Sequence, residues 1–424
     1  MYNKVAEQIK NISAPIHEKI VSKFNKIDFD TIDVEGVWEV IYLIMLAFYV
    51  GVNVLTSTMF EIAWPAYFFQ TFRSICVTLV IIRLIIIKEI PKKKFIAMVV
   101  ISFVFLMSHY MSGYGLPIDL LILVLGAYNV DFRKILKTYI AVWSVLLVIT
   151  IIGAMTGLAE NLVYYQGEGG ERVRMALGMN YPTDLAAYVA FLMFAYVCVR
   201  DEYITYLEIG VMAVLAVAVF YITDARTDFI VMMLLLITVT TTKVLNSKVE
   251  KIMDKSQVKT ACMIFPAVMC ILVYVLSANF SYDNQILSAI DEKMSGRLAL
   301  GRWALMDYKP SAFGRYVIEK GAGGSTTNED FYFFIDSSYL SIGIKYGIMF
   351  LIIMWWNFIE VIKKIWNKKS CYMIICIMMV LIQSVMEHHY IQYWFNPFLI
   401  AMFAMFDKEE KNTSINSYAI EDLN

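Results

Sequence analysis

Arginines are the first residues here whose type and spacing could do chemistry. They recur at Arg172 and Arg174, at Arg226 within the turn TDARTD, and at Arg297 and Arg302 within GRLALGRWALMDY, from Gly296 to Tyr308. A guanidinium stays protonated and donates paired hydrogen bonds to phosphate oxygens, which suits it to clamp a pyrophosphate while a bond to a sugar breaks. Three more ionisable groups, Arg73, Asp119 and Lys345, fall inside apolar runs. A charge there is costly and marks a functional position by default. The expectation is a polar, water-accessible chamber holding Arg73 and Lys345, with an Arg73–Asp119 structural pair as the alternative. For a proton acceptor, the segment EHHY offers Glu387, His388 and His389, since histidine titrates near neutral pH. Asp336 and His109 are the other candidates.

The elements that must position these residues are apolar helices. With 59% hydrophobic and 17% charged residues, the chain lies far outside the range of soluble domains. The expected fold class is therefore an all-α polytopic membrane protein. The net charge of -1 carries no information about partners, because the sharing of Lys and Arg among loops is what matters in such a chain. Six cysteines lie in apolar stretches without CxxC spacing and read as small packing residues. No Cys/His cluster or HExxH is evident, so no metal and no cofactor is expected.

Runs of about 20 apolar residues match a hydrocarbon core roughly 30 Å thick. Hydropathy places about twelve such spans, near 37–56, 64–87, 95–112, 115–130, 135–157, 183–200, 203–222, 227–244, 259–277, 337–360, 371–387 and 391–406. Ten or eleven is the alternative, with 115–130 or 391–406 re-entrant because they are short. Lysines and arginines follow the second, fourth, eighth and tenth spans, while 57–63, 113–114 and 388–390 carry none. By the positive-inside rule both termini are cytoplasmic. Residues 1–36 read as an amphipathic segment on the inner membrane face, 37–406 as the transmembrane domain and 407–424 as a cytoplasmic tail. Two long connections, 158–182 and 278–336, then fall outside, and connections of that length are usually functional. The second has helix-forming composition over 284–308 and is expected to cap an outward-facing cavity. Its glycines, Gly321, Gly323 and Gly324, lack a following GK[ST] and read as a hinge.

Four short motifs occur in order: an arginine pair followed by LGMNYP (Leu177 to Pro182), an arginine in a short turn, a GR…W segment in a large late loop, and IDSSYL…KYG (Ile335 to Gly347). This order resembles the Wzy-type O-antigen and capsular repeat-unit polymerases, and in part the O-antigen ligases, over roughly 160–350. The resemblance implies a GT-C-like membrane glycosyltransferase with a large helical extracytoplasmic loop. It also implies an enzyme that moves a growing glycan from one undecaprenyl pyrophosphate carrier onto the terminal sugar of a second lipid-linked repeat unit. Carried over by position, it implies pyrophosphate contacts for Arg297 and Arg226, assistance from Arg172, Arg174 or Arg302, and acidic and aromatic roles for Asp336 and Tyr339. The chain departs from the pattern at Asn180-Tyr181-Pro182-Thr183-Asp184, where the family tends toward His-Pro-Asn, and in lacking a serine before Arg226. His388 or Asp336 is expected as base. A chain-length-regulating co-polymerase is a possible partner, and no nucleic acid is expected. The competing readings are an O-antigen-type ligase, a peptidoglycan-type polymerase, and a lipid-linked oligosaccharide flippase or other transporter.

Overall fold

The computed structural model describes residues 33–87, 90–166, 171–321, 323 and 332–406. The tail over 407–424, most of the amphipathic segment over 1–36 and most of the glycine stretch after Gly321 lie outside the described residues. Contacts divide the chain into Met1–Ile41 and Tyr42–Asn424. The described part of the first unit is the beginning of helix α1 (Val34–Thr56), and everything below concerns the second.

Helices dominate: α2 (Phe68–Ile86), α3 (Lys92–Ser112), α4 (Leu116–Gly126), α5 (Phe132–Thr156), α6 (Pro182–Arg200), α7 (Tyr206–Thr223), α8 (Arg226–Val244), α9 (Asn246–Met253) and α10 (Ser256–Ala278). They are followed by α11 (Gln285–Lys293), α12 (Arg297–Asp307), α13 (Ser338–Ser341), α14 (Ile348–Asn367) and α15 (Cys371–Gln383). Among the described residues, eight helices are long and apolar enough to cross a membrane: α1, α2, α3, α5, α6, α7, α8 and α10. The chain is a mostly helical, polytopic membrane protein. One antiparallel hairpin, β1 (Val163–Gln166) with β2 (Arg172–Met175), interrupts the helical pattern in register Tyr164 to Arg174.

Local sequence sets the helix ends. Thr205 and Glu208 form a reciprocal capping box at the start of α7, with Glu208 N–H donating to Thr205 Oγ1 at 3.2 Å and Thr205 N–H donating to Glu208 Oε2 at 2.6 Å. Asp131 caps α5 through the Arg133 N–H at 2.8 Å. Helix α6 packs against α5, α7, α8 and α15, and its small residues Ala186, Ala187, Ala190 and Ala195 are buried with its aromatic ones. A helix apolar on every side belongs in an interior.

Four of the twelve expected spans are not among the eight long apolar helices: 115–130 and 371–387 contain only the shorter apolar helices α4 and α15, and the other two take different forms. The stretch 337–360 is discontinuous: α13 leads into a π turn, Ile342–Tyr346, and α14 starts only after Gly347. Gly347 has φ +99°, and a Cβ there would meet the backbone of residues 312–314 at 2.5 Å. That crossing loop replaces the missing helical bonds, since Ile348 N–H donates to Ser311 carbonyl at 2.9 Å and Met349 N–H to Ala312 carbonyl at 3.0 Å. The stretch 391–406 forms no long helix, only a short 3₁₀ turn at Pro397–Ile400, yet nearly all of it is buried. Its backbone carbonyls are bonded by side chains of neighbouring helices: Tyr139 to Tyr393 at 2.5 Å, Trp143 to Trp394 at 2.9 Å, Asn357 to Phe398 at 3.1 Å and Lys364 to Met402 and Ala404 at 2.7 Å. Irregular backbone is tolerated in such a protein where other chain buries and satisfies it.

Candidate functional site

The helix carrying Arg297 is held by three devices. Asp291, buried, accepts from Leu298 N–H at 2.7 Å and Ala299 N–H at 3.1 Å and so caps α12. Gly301 lets α12 approach α10 and α13 closely, because a Cβ there would meet Ser277 and Leu340 at 2.7 Å. An apolar cluster of Val273, Ala304, Ile335, Tyr339 and Leu340 seals the contact. The result fixes the first turn of α12 against two other segments, 335–338 and 384–390. Those two are stitched together by Ser338, whose N–H donates to Ser384 carbonyl at 3.0 Å and whose hydroxyl donates to Glu387 carbonyl at 2.5 Å.

Arg297 lies between two carboxylates. Its Nη2 donates to Glu387 Oε1 at 3.1 Å, and its Nε is 3.5 Å from Asp336 Oδ2. The guanidinium side chain is 16% exposed, so this ion triad is largely withdrawn from water. Burial raises the Asp336 carboxyl to about 7, against the opposing pull of Arg297 and with a smaller push from Glu387. A carboxylate poised near neutrality suits proton transfer.

His388 and His389 adjoin the triad. Their rings lie 4.3 Å apart between Phe334, which meets His388 edge-on at 4.9 Å, and Phe395, 4.1 Å from His389. Burial holds both imidazoles neutral, with His389 lowered to about 4 and His388 also well below the usual range. His389 Nδ1 bonds Gln392 Oε1 at 2.8 Å. Asp184, in the first turn of α6, completes the group.

A second arginine cluster surrounds Asp224 between α7 and α8. Arg172 Nε donates to Asp224 Oδ2 at 2.6 Å, while Arg226 is 3.7 Å from Oδ1 and 66% exposed. Arg174 is buried, donates to Thr223 carbonyl at 2.9 Å and lies over the Tyr181 ring. Its charge also acts on Glu387, which links the two clusters electrostatically.

The remaining residues singled out by sequence have protein partners. Arg73 makes a two-point bond to Asp119 at 2.6 and 2.9 Å, in a cavity of about 200 Å³ lined also by Phe48, Asn53 and Tyr393. The structural-pair alternative describes it, apart from the Arg297 triad. Lys345, in the π turn, pairs with Glu319 at 2.5 Å and lies over Tyr114. Tyr339 is buried and donates its hydroxyl to Leu381 carbonyl at 3.0 Å, which makes it a positioning residue for α13. Arg302 donates to the carbonyl of Ala278, capping the end of α10. Glu387, named in the sequence only as part of EHHY, and Asp184 and Asp228 join the site. An acidic residue in the first turn of a helix usually complements the helix dipole, so sequence gave no reason to separate Asp184 and Asp228 from that ordinary use.

Fold and site together define a polytopic membrane protein with a buried arginine–carboxylate centre beside a histidine pair. Comparison with known protein families, with curated proteins and with solved structures found no match.

Proposed function

We propose that this protein is a glycosyltransferase of bacterial surface-polysaccharide assembly. It joins undecaprenyl-pyrophosphate-linked oligosaccharide repeat units on the outer face of the cytoplasmic membrane. The Arg297–Asp336–Glu387 triad carries this reading, because it places a buried guanidinium beside a carboxyl poised near neutrality. Sequence resemblance supplies the substrate class. The arginines around Asp224, of which Arg226 is the most exposed, receive the donor pyrophosphate and pass its charge toward Arg297. Asp336 takes the acceptor hydroxyl proton as the new glycosidic bond forms at the anomeric carbon and the lipid pyrophosphate departs. The donor is already activated, so no nucleotide is consumed. In this reading the positive-inside rule orients the chain, the described residues of 278–336 cap the chamber from outside, and the buried 391–406 segment counts as re-entrant chain.

A transporter reading draws on one feature, the helix break at Gly347, since discontinuous helices line transport sites. Reconstitution with a lipid-pyrophosphate-linked repeat unit, without nucleotide, separates the two. A glycan ladder that vanishes in Arg297→Ala supports polymerisation. Movement of unchanged substrate between leaflets refutes it and favours transport.

A further inference from the structure

We infer that Asp184, His388 and His389 form a binding site for one divalent transition-metal ion of the zinc type. One ligand atom from each residue lies within 4.8 Å of the other two. A tetrahedral ion with bonds of about 2.0–2.2 Å spaces its ligands roughly 3.4 Å apart, so small rotations of three side chains complete the set. Two nitrogens here are buried without any hydrogen-bond partner among the described residues, His388 Nδ1 and His389 Nε2. His389 is 1% exposed, and no hydrogen bond or ion pair engages the Asp184 carboxylate among the described residues. Buried polar atoms are ordinarily satisfied, and each exception calls for a ligand or a function.

The surroundings are those of a metal site. Gln392 bonds the other nitrogen of His389 at 2.8 Å, which orients the ring with Nε2 turned away from Gln392 as an electron-pair donor. Phe334 packs edge-on against the His388 ring and Phe395 against the His389 ring, and both lower the local dielectric. Two imidazoles and one carboxylate favour zinc-like ions over Mg²⁺, which prefers oxygen ligands and water. Three protein ligands leave a coordination position for water or an anionic oxygen.

This inference stands apart from the glycosyltransferase reading, because its test reads metal and not turnover. The untagged full chain in nanodiscs, stripped with chelator, is dialysed against Zn²⁺ or Mg²⁺ and its metal content measured, and Co²⁺ loading is followed by visible absorption. The expected result is about one tightly held Zn²⁺ per chain, no comparable Mg²⁺, and a Co²⁺ spectrum of low coordination number. Asp184→Asn and His388→Asn abolish stoichiometric uptake while keeping the wild-type gel-filtration profile, and Gln392→Ala weakens affinity roughly 10–100-fold. Failure of the wild-type chain to retain Zn²⁺, equal retention of Mg²⁺, or undiminished uptake in Asp184→Asn and His388→Asn would each overturn it.

Discussion

Replacing Arg297 by alanine removes the cation from a buried triad and leaves Asp336 and Glu387 facing each other without it. The Arg297 and Asp336 side chains are each 16% exposed and that of Glu387 is 4% exposed, so water cannot replace the guanidinium. Breaking a buried ion pair in this way costs about 3–5 kcal/mol. An unfolding entropy of roughly 2.1 cal/mol/K per residue gives about 0.9 kcal/mol/K for a chain of 424 residues. The melting temperature should therefore fall by at least about 3–6 °C at pH 8, the lower bound arising because membrane helices keep their backbone bonds when they separate. The sign of the pH dependence follows from Asp336, which burial raises from the ordinary carboxyl value of 3.8 to about 7. A carboxyl raised on folding contributes stability at low pH that is lost as pH climbs through the folded value. The deficit of Arg297→Ala should accordingly shrink between pH 8 and pH 5, as protonation removes the uncompensated charge. Arg297→Lys should recover part of the stability but not the activity, because an ammonium cannot reproduce the two-sided contact. Thermal unfolding in nanodiscs across that pH range is the assay. An Arg297→Ala variant melting within a degree of wild type at pH 8, with no pH dependence, would refute a buried, charge-balanced triad.

Other expectations follow from the same contacts. Asp336→Asn should lower transfer about 10²–10⁴-fold with the fold intact, and wild-type turnover should rise with pH through about 7 as the base ionises; a flat profile from pH 6 to 8 would remove Asp336 from that role. Gly347→Ala should destabilise by roughly 2–5 kcal/mol, combining an unfavourable φ with a backbone clash, and should show as loss of folded protein on gel filtration. Tyr339→Phe should cost about 1 kcal/mol in unfolding measurements while leaving KM unchanged, since the hydroxyl serves Leu381 and not a substrate.

Hydropathy located the long helices because a run of apolar residues reads the same in sequence and in space, as α3, α5, α7 and α10 illustrate. It did not mark the break at Gly347, and it offered a re-entrant 391–406 only as an alternative on grounds of length, since both are as apolar as a continuous span and differ only in which backbone groups find partners elsewhere. Among charged residues, sequence marked cost and offered the Arg73–Asp119 pair as an alternative to a water-accessible chamber, and the fold shows that pair. Lys345 and Glu319 are 26 positions apart, and only the fold reveals them as a pair. Arg297, Asp336 and His388 come from three separated segments that the structure brings side by side. The acids Asp184 and Asp228, which alter the charge balance of that region, looked like ordinary first-turn residues.

The irregular segment 391–406 also bears on how the protein is made. Its bonding partners lie on helices synthesised earlier, from Tyr139 and Trp143 in α5 to Asn357 and Lys364 in α14. Until this stretch emerges from the ribosome, those side chains have nothing to donate to, and the stretch itself lacks the internal bonding that lets a helix enter lipid alone. Membrane insertion of the helices and closure of their interior are therefore separate events. The second waits for a late-made plug threaded between helices already in place, and because that plug begins immediately after His388 and His389, the histidine pair takes up its place only as the molecule closes.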